Sequence, residues 1–319
     1  MSGKDIRRTF MRRFAAFSKQ RRIVAFAIVA SFATQILAAV LFGHWLLHSQ
    51  IGPLGRAAFA GIVMLFIGTR LRGLNNIVHE CSHATFAVQR GDNALCGRFC
   101  AALILGCFTD YRADHLTHHA HLGDYAHDRD LQGIRALRLE APLTLRTILR
   151  HIVTPLLGRH LRYYLHPNFS ARDGRVFLAL KLGLVAAAAA LAVLAPLTAL
   201  LFVALPYLWV FTALNYWTDC IDHAGILASG DELTASRNVR VPGWLRVLLF
   251  PRNDCFHLVH HLFPQVPSQH LGACHRQLLE DPDYRRQVGA APPARPVRAE
   301  KRRDRILRPA EAGGHETVI

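Results

Sequence analysis

From Leu182 to Thr218 the chain runs for 37 residues without an Asp, Glu, Lys or Arg. At about 1.5 Å per helical residue this is roughly twice the length needed to cross a bilayer once. Backbone groups in hydrocarbon must bond within their own segment, so such a run restricts the fold to membrane helices. Ala195-Pro196 offers the turn between two spans, because proline lacks the N–H that would continue a helix. A second uncharged run, Ile23 to Ile51, follows a segment with eight Lys and Arg and one acid, Asp5. After Gly52-Pro53, a third apolar run begins at Ala57 and reaches His79, with Arg70 and Arg72 expected to snorkel near its end. The pattern predicts an all-α membrane protein with four transmembrane helices in two hairpins, at about 23–48, 57–78, 176–195 and 198–218. The basic N-terminal side and the even number of spans place both termini in the cytosol.

The remaining segments are expected to form a cytosolic helical cap. Ala94 to Phe108 is apolar but too short to span alone, so it reads as a re-entrant or interfacial segment, or as a buried helix of the cap. Tyr111 to Arg175 is polar and basic and suits amphipathic helices along the headgroups, and Val239 to Arg252 suits another short surface helix. The domain reading is a basic cytosolic segment at 1–22, one integral-membrane domain at 23–288, and a disordered basic tail at 289–319. A net charge of +16 raises the question of nucleic acid. The basic residues flank apolar runs, with few aromatics among them to stack on bases, so a membrane surface is the expected anionic neighbour. The seven cysteines are odd in number and contain no C-x-x-C pair, which argues against a disulfide framework and a thiolate zinc site.

The chemistry lies in three histidine clusters. His79 and His83 form H-x-x-x-H, His115, His118 and His119 form H-x-x-H-H, and His257, His260 and His261 repeat H-x-x-H-H. On a helix these spacings turn the imidazoles to neighbouring faces, an arrangement that metal binding explains better than packing. The first cluster, His79-Glu80-Cys81-Ser82-His83, also matches the H-E-x-x-H signature of zinc proteases. A zinc hydrolase would use those two histidines, Glu80 as base and one distant ligand, leaving the other clusters without a role. Eight clustered imidazoles suit a pair of ions, and redox-active metal needs such a ligand set more than zinc does.

These spacings, set among four spans, resemble the membrane-bound fatty acid desaturase and hydroxylase superfamily. The likeness covers residues from about 75 to 275, with the phrases H-E-C-S-H-A-T-F at 79–86, Y-R-A-D-H-L-T-H-H at 111–119 and H-L-V-H-H-L-F-P-Q-V-P at 257–267. The resemblance implies a non-haem centre of two Fe ions at the cytosolic surface, held by His79, His83, His115, His118, His119, His257, His260 and His261. Relatives often supply a further histidine at the end of the fourth span, and His223 stands there. By the same likeness Asp219, four residues earlier, orients a ligand or holds water, and is otherwise a helix-end acid facing the headgroups. Asp124, Asp128 and Asp130 are expected to support ligating imidazoles through their second ring nitrogens. Leu122-Gly123 followed by paired acids is also seen in sphingolipid desaturases and carotenoid ketolases, which leaves the branch open.

The resemblance implies an O2-dependent oxidoreductase that takes hydrogen from an unactivated C–H bond of an acyl or other lipid-like substrate. Loss of a second hydrogen gives an alkene, and oxygen rebound gives a hydroxylase or ketolase outcome on the same scaffold. No four-cysteine pattern is visible in the C-terminal segment, so electrons are expected from a separate ferredoxin-like donor with its reductase. The expected location is a bacterial inner membrane, with the metal site cytosolic. An intramembrane zinc protease built on His79, Glu80 and His83 is the alternative of a different class.

Overall fold

The structure, a computed structural model, describes residues 2–227 and 231–289. The expected tail at 289–319 lies outside the described residues from 290 onward. Among the described residues the chain is helical, with one isolated β-bridge between Gln20 and Ala87.

Helix α1 (Gly3–Phe14) precedes α2 (Arg22–Leu47) and α3 (Pro53–Ser82). Next come α4 (Arg90–Leu103), α5 (Phe108–His121), α6 (Arg129–Ile134), α7 (Leu145–Leu156) and α8 (Leu161–Tyr164). Then follow α9 (Arg175–Leu194) and α10 (Pro196–His223). Short helices α11 (Gly243–Leu249), α12 (His257–Leu262), α13 (Leu271–Leu278) and α14 (Pro282–Gln287) close the chain. Four of these, α2, α3, α9 and α10, are long and apolar enough to cross a membrane. Their outward faces carry Leu37, Leu41, Phe59, Ile62, Val176 and Leu182, all exposed, as lipid contact requires. The protein is an all-α membrane protein.

Small residues decide how closely the spans approach. An added Cβ at Gly73 of α3 would lie 2.1 Å from the Phe32 ring of α2, and one at Gly68 would lie 2.3 Å from Val210 of α10. Proline shapes α10. Pro206 has no N–H to give and its ring crowds the carbonyl four residues back. The helix answers by widening into π geometry over Leu200–Ala204 and Pro206–Phe211 without breaking. It therefore continues past 218 to His223 and carries Asp219, Asp222 and His223 on one face.

Two segments depart from expectation, while the apolar stretch at 94–108 takes a bent form compatible with a re-entrant segment: α4 and α5 meet at 105°, with Leu105 in the left-handed region at φ 55°. The basic N-terminus is no free segment, because Ile6, Phe10 and Phe14 recur every four residues and bury against the cluster of Leu258, Leu262 and Phe263. Arg7 seals this contact, its Nε donating to the Leu262 carbonyl at 2.9 Å while its guanidinium pairs with Glu232. Finally, Arg70 and Arg72 do not snorkel. Both are buried, Arg70 bonding the carbonyls of Val247 and Leu248 at 3.1 and 2.9 Å. Arg72 turns inward to Asp254 and to the Asn215 Oδ1, since an acid inside the bundle needs a paired cation more than the cation needs the headgroups. Helix α7 exposes Leu145, Ile148, Leu149, Ile152 and Leu156 along one side, an apolar face suited to the interface.

Candidate metal centre

Three helix ends and one whole short helix bring the histidines together. His79 sits in the last turn of α3 and His83 caps it, while His223 ends α10. Helix α5 supplies His115, His118 and His119, and α12 supplies His257, His260 and His261. Asp173 fixes the start of α5 by accepting from the backbone N–H of Phe108 at 2.7 Å and of Thr109 at 3.0 Å. Such capping satisfies donors that no helical carbonyl reaches.

The nine nitrogens fall into two groups, His79, His83, His115, His119 and His260 in one, and His118, His223, His257 and His261 in the other. Within each group the ligand atoms lie within 4.8 Å of one another. Each H-x-x-H-H motif is divided between the groups, because positions three and four residues on diverge by about 100° around a helix. In α5 the outer pair His115 and His119 joins the first group and His118 the second. In α12 the outer pair His257 and His261 joins the second group and His260 the first. The groups are neighbours, with the His119 and His261 rings stacked at 4.5 Å.

The spacing within each group fits a metal ion. Nε2 atoms are 3.0 Å apart for His83 and His115, 3.1 Å for His115 and His119, and 3.0 Å for His119 and His260. In the second group His223 and His257, and His257 and His261, are each 2.9 Å apart. With metal–nitrogen bonds of about 2.1 Å, ligands at right angles stand about 3.0 Å apart and ligands at a tetrahedral angle about 3.4 Å. These five edges are close to the right-angled spacing, and all ligand atoms of a group lie within 4.8 Å of one another.

Behind the rings stand the groups that set their tautomers. Asp130 accepts from the His115 Nδ1 at 3.0 Å and Asp128 from the His118 Nδ1 at 2.8 Å, while the Ala235 carbonyl accepts from the His223 Nδ1 at 3.0 Å. Each leaves a lone pair on Nε2, the atom that points into its group. Burial, with Arg112 nearby, lowers the His83 pKa to about 4. Burial, then the neighbouring imidazoles, holds His257, His260 and His261 well below the usual histidine range. Neutral rings at pH 7 are the form that binds metal.

The acids expected to support the ligands divide. Asp128 and Asp130 hold imidazoles of the two groups, whereas Asp124 is a surface residue whose carboxylate holds His127 at 2.7 Å and the Ala126 N–H at 2.9 Å. It caps its own turn and does not reach a ring of either group. Asp219 accepts from the Tyr164 hydroxyl at 2.6 Å and lines the cavity beside the histidines, facing inward and not toward headgroups. Asp222, which sequence reasoning did not single out as a support, has its Oδ2 3.5 Å from the His257 Nδ1. Its i+3 position from Asp219 was the available signal. The H-E-x-x-H reading fails on Glu80. Arg252 grips both of its carboxylate oxygens, at 2.6 and 2.9 Å, so the residue is an ion-pair partner and not a free base beside a water.

Comparison with known proteins agrees with this geometry. The sequence model of the family described as fatty acid desaturase matches residues 55–288. The chain is 28% identical over 243 residues to the dihydrorhizobitoxine desaturase of Bradyrhizobium elkanii, an overlap of 70% of this chain and 68% of that protein. It is 26% identical over 242 residues to the sn-1 oleoyl-lipid 12-desaturase of Synechocystis, covering 69% of this chain and 68% of the relative. To the temperature-sensitive sn-2 acyl-lipid omega-3 desaturase (ferredoxin), chloroplastic, of Arabidopsis thaliana it is 23% identical, over 64% of this chain and 53% of that protein.

Proposed function

Because the chain belongs to the fatty acid desaturase family, we propose that its nine converging histidines hold two iron ions and that it introduces a double bond into an acyl or other lipid-like chain. It is an oxidoreductase of the desaturase type. The observation that carries the proposal is the division of the imidazoles into groups of five and four, with edges that suit ligands at right angles.

Bound iron supplies the means to reduce O2 and to take hydrogen from an unactivated C–H bond. Two hydrogens leave adjacent carbons and, with two protons, two electrons from the donor and O2, appear as two waters. The chain's own residues hold the reaction in place. Asp128, Asp130 and the Ala235 carbonyl fix the tautomers of His118, His115 and His223. The cavity of ≈ 350 Å³ against His79, His115, His118, His223 and His257 is the position for the reacting carbons. A separate ferredoxin-like donor fits, and one relative is named as a ferredoxin-dependent desaturase. The basic N-terminal segment and the long apolar helices favour a membrane location with the N-terminus and the centre on the cytosolic side.

Mass spectrometry of cells with and without the active protein tests the reading. A species lighter by two mass units in the presence of the protein supports it. A gain of sixteen assigns a hydroxylase outcome, and no oxidised product at all overturns it.

A further inference from the structure

The cavity against the histidines has apolar walls at Leu131 and Ile134, but it also holds a cluster of charged and amide groups that a plain hydrocarbon chain does not call for. Its volume, ≈ 350 Å³, equals on the order of ten water molecules. Arg72, Asn76, Asn215, Asp222 and Asp254 line it next to His79 and His257. Arg72 is 4% exposed, Asn76 7% and Asp222 1%, so these groups lie in the protein interior. Four of their atoms have no hydrogen-bond partner among the described residues: Arg72 Nε, Asn76 Nδ2, Asp222 Oδ1 and Asp254 Oδ1. Two are donors and two are acceptors. A buried polar atom without a partner loses its hydration with no return, and although Arg72 and Asp254 pair with each other, each keeps one such atom facing this cavity beside those of Asn76 and Asp222. Asn75, also in the wall, adds an amide with no side-chain hydrogen bond among the described residues.

Resting on the reading that this centre desaturates its substrate, we infer that the substrate carries a polar head close to the carbons that lose hydrogen. That head presents both a hydrogen-bond acceptor and an N–H or O–H donor. The acceptor lies toward Arg72 and Asn76, and the donor toward Asp222 and Asp254. The middle of a long unbranched acyl chain offers neither. The same ring of groups selects by penalty, because a hydrocarbon placed there leaves all four atoms unpaired.

Titration of the iron-loaded, detergent-solubilised chain tests this with four eight-carbon probes: 2-aminooctanoate, octanoate, octylamine and methyl octanoate. The expected result is that 2-aminooctanoate, which alone carries a charged acceptor and a charged donor, binds at least tenfold tighter than the other three. Asn76→Leu and Asn215→Leu are each expected to lower that preference about tenfold while leaving the iron content unchanged; the second covers the case in which the first does not fold. Equal affinity for all four, tightest binding of the methyl ester, or no binding with iron in place overturns the polar subsite and leaves the di-iron reading standing. Absence of iron overturns the di-iron reading, and the probe preference then still decides the subsite, because it is measured without turnover.

Discussion

At the scale of single residues, the acids divide into those that hold the clustered imidazoles, Asp128 and Asp130, and those that hold a surface turn, Asp124. Asp128 is fully buried, accepts from His118 and caps α6 through the Leu131 N–H at 3.0 Å. Asp128→Asn is expected to lower metal affinity about 10–100-fold. Asp124→Asn is expected to leave it unchanged, and equilibrium dialysis against iron compares the two. Glu80 gives a second contrast. Removing it alone strands the Arg252 guanidinium, with side-chain exposures of 5% and 12% for the pair. Glu80→Ala is expected to cost on the order of 3 kcal/mol, and a Glu80→Met, Arg252→Leu double variant to recover most of that, read by thermal unfolding in detergent. A catalytic base predicts the reverse, with stability kept and activity lost. The convergence of the histidines was legible in the sequence because helical spacing in each cluster turns imidazoles to neighbouring faces. Asp124, Asp128 and Asp130 looked alike there, since only the turn after α5 decides which carboxylates face inward. Glu80 misled for the same reason, its partner Arg252 being 172 residues away.

At the scale of elements, the spans were legible because charge-free runs have no soluble alternative, while their ends and contacts were not. The fourth span reaches His223, five residues past the expected end at 218, because Asp219 and Asp222 face the cavity and the Tyr164 hydroxyl instead of lipid. Helix α1 was hidden under its own charge: the basic residues of the segment drew attention from the Ile6, Phe10, Phe14 repeat that docks it on α12. Phe14 is 1% exposed, and Phe14→Ala is expected to cost about 3 kcal/mol or more. Because the docked surface includes Leu258 and Leu262, the loss should also loosen α12 and lower iron retention on gel filtration. The contact of α2 with α3 is open to a complementary test. Gly73→Ala places a methyl against Phe32 and is expected to cost about 1–3 kcal/mol. Adding Phe32→Leu should restore part of it, whereas an unchanged unfolding temperature for Gly73→Ala alone would contradict the close approach.

At the scale of the whole molecule, the spans, the bent α4–α5 pair and the docked N-terminal helix all serve to bring three distant clusters to one place. His79 and His260 are 181 positions apart in the chain yet their rings stand 4.3 Å apart. The division into five and four was not legible in the sequence, because it depends on how α5 and α12 are rotated against each other. On the proposed di-iron reading the two groups make the ions separable by substitution, since His260 lies in the first group and His118 in the second. Quantitative metal analysis of the purified chain, alongside His118→Ala and His260→Ala, tests this account most directly. It predicts about two irons per chain in the unsubstituted protein and a clear loss of iron in each variant. One zinc per chain with no iron, retained in both variants, would contradict it.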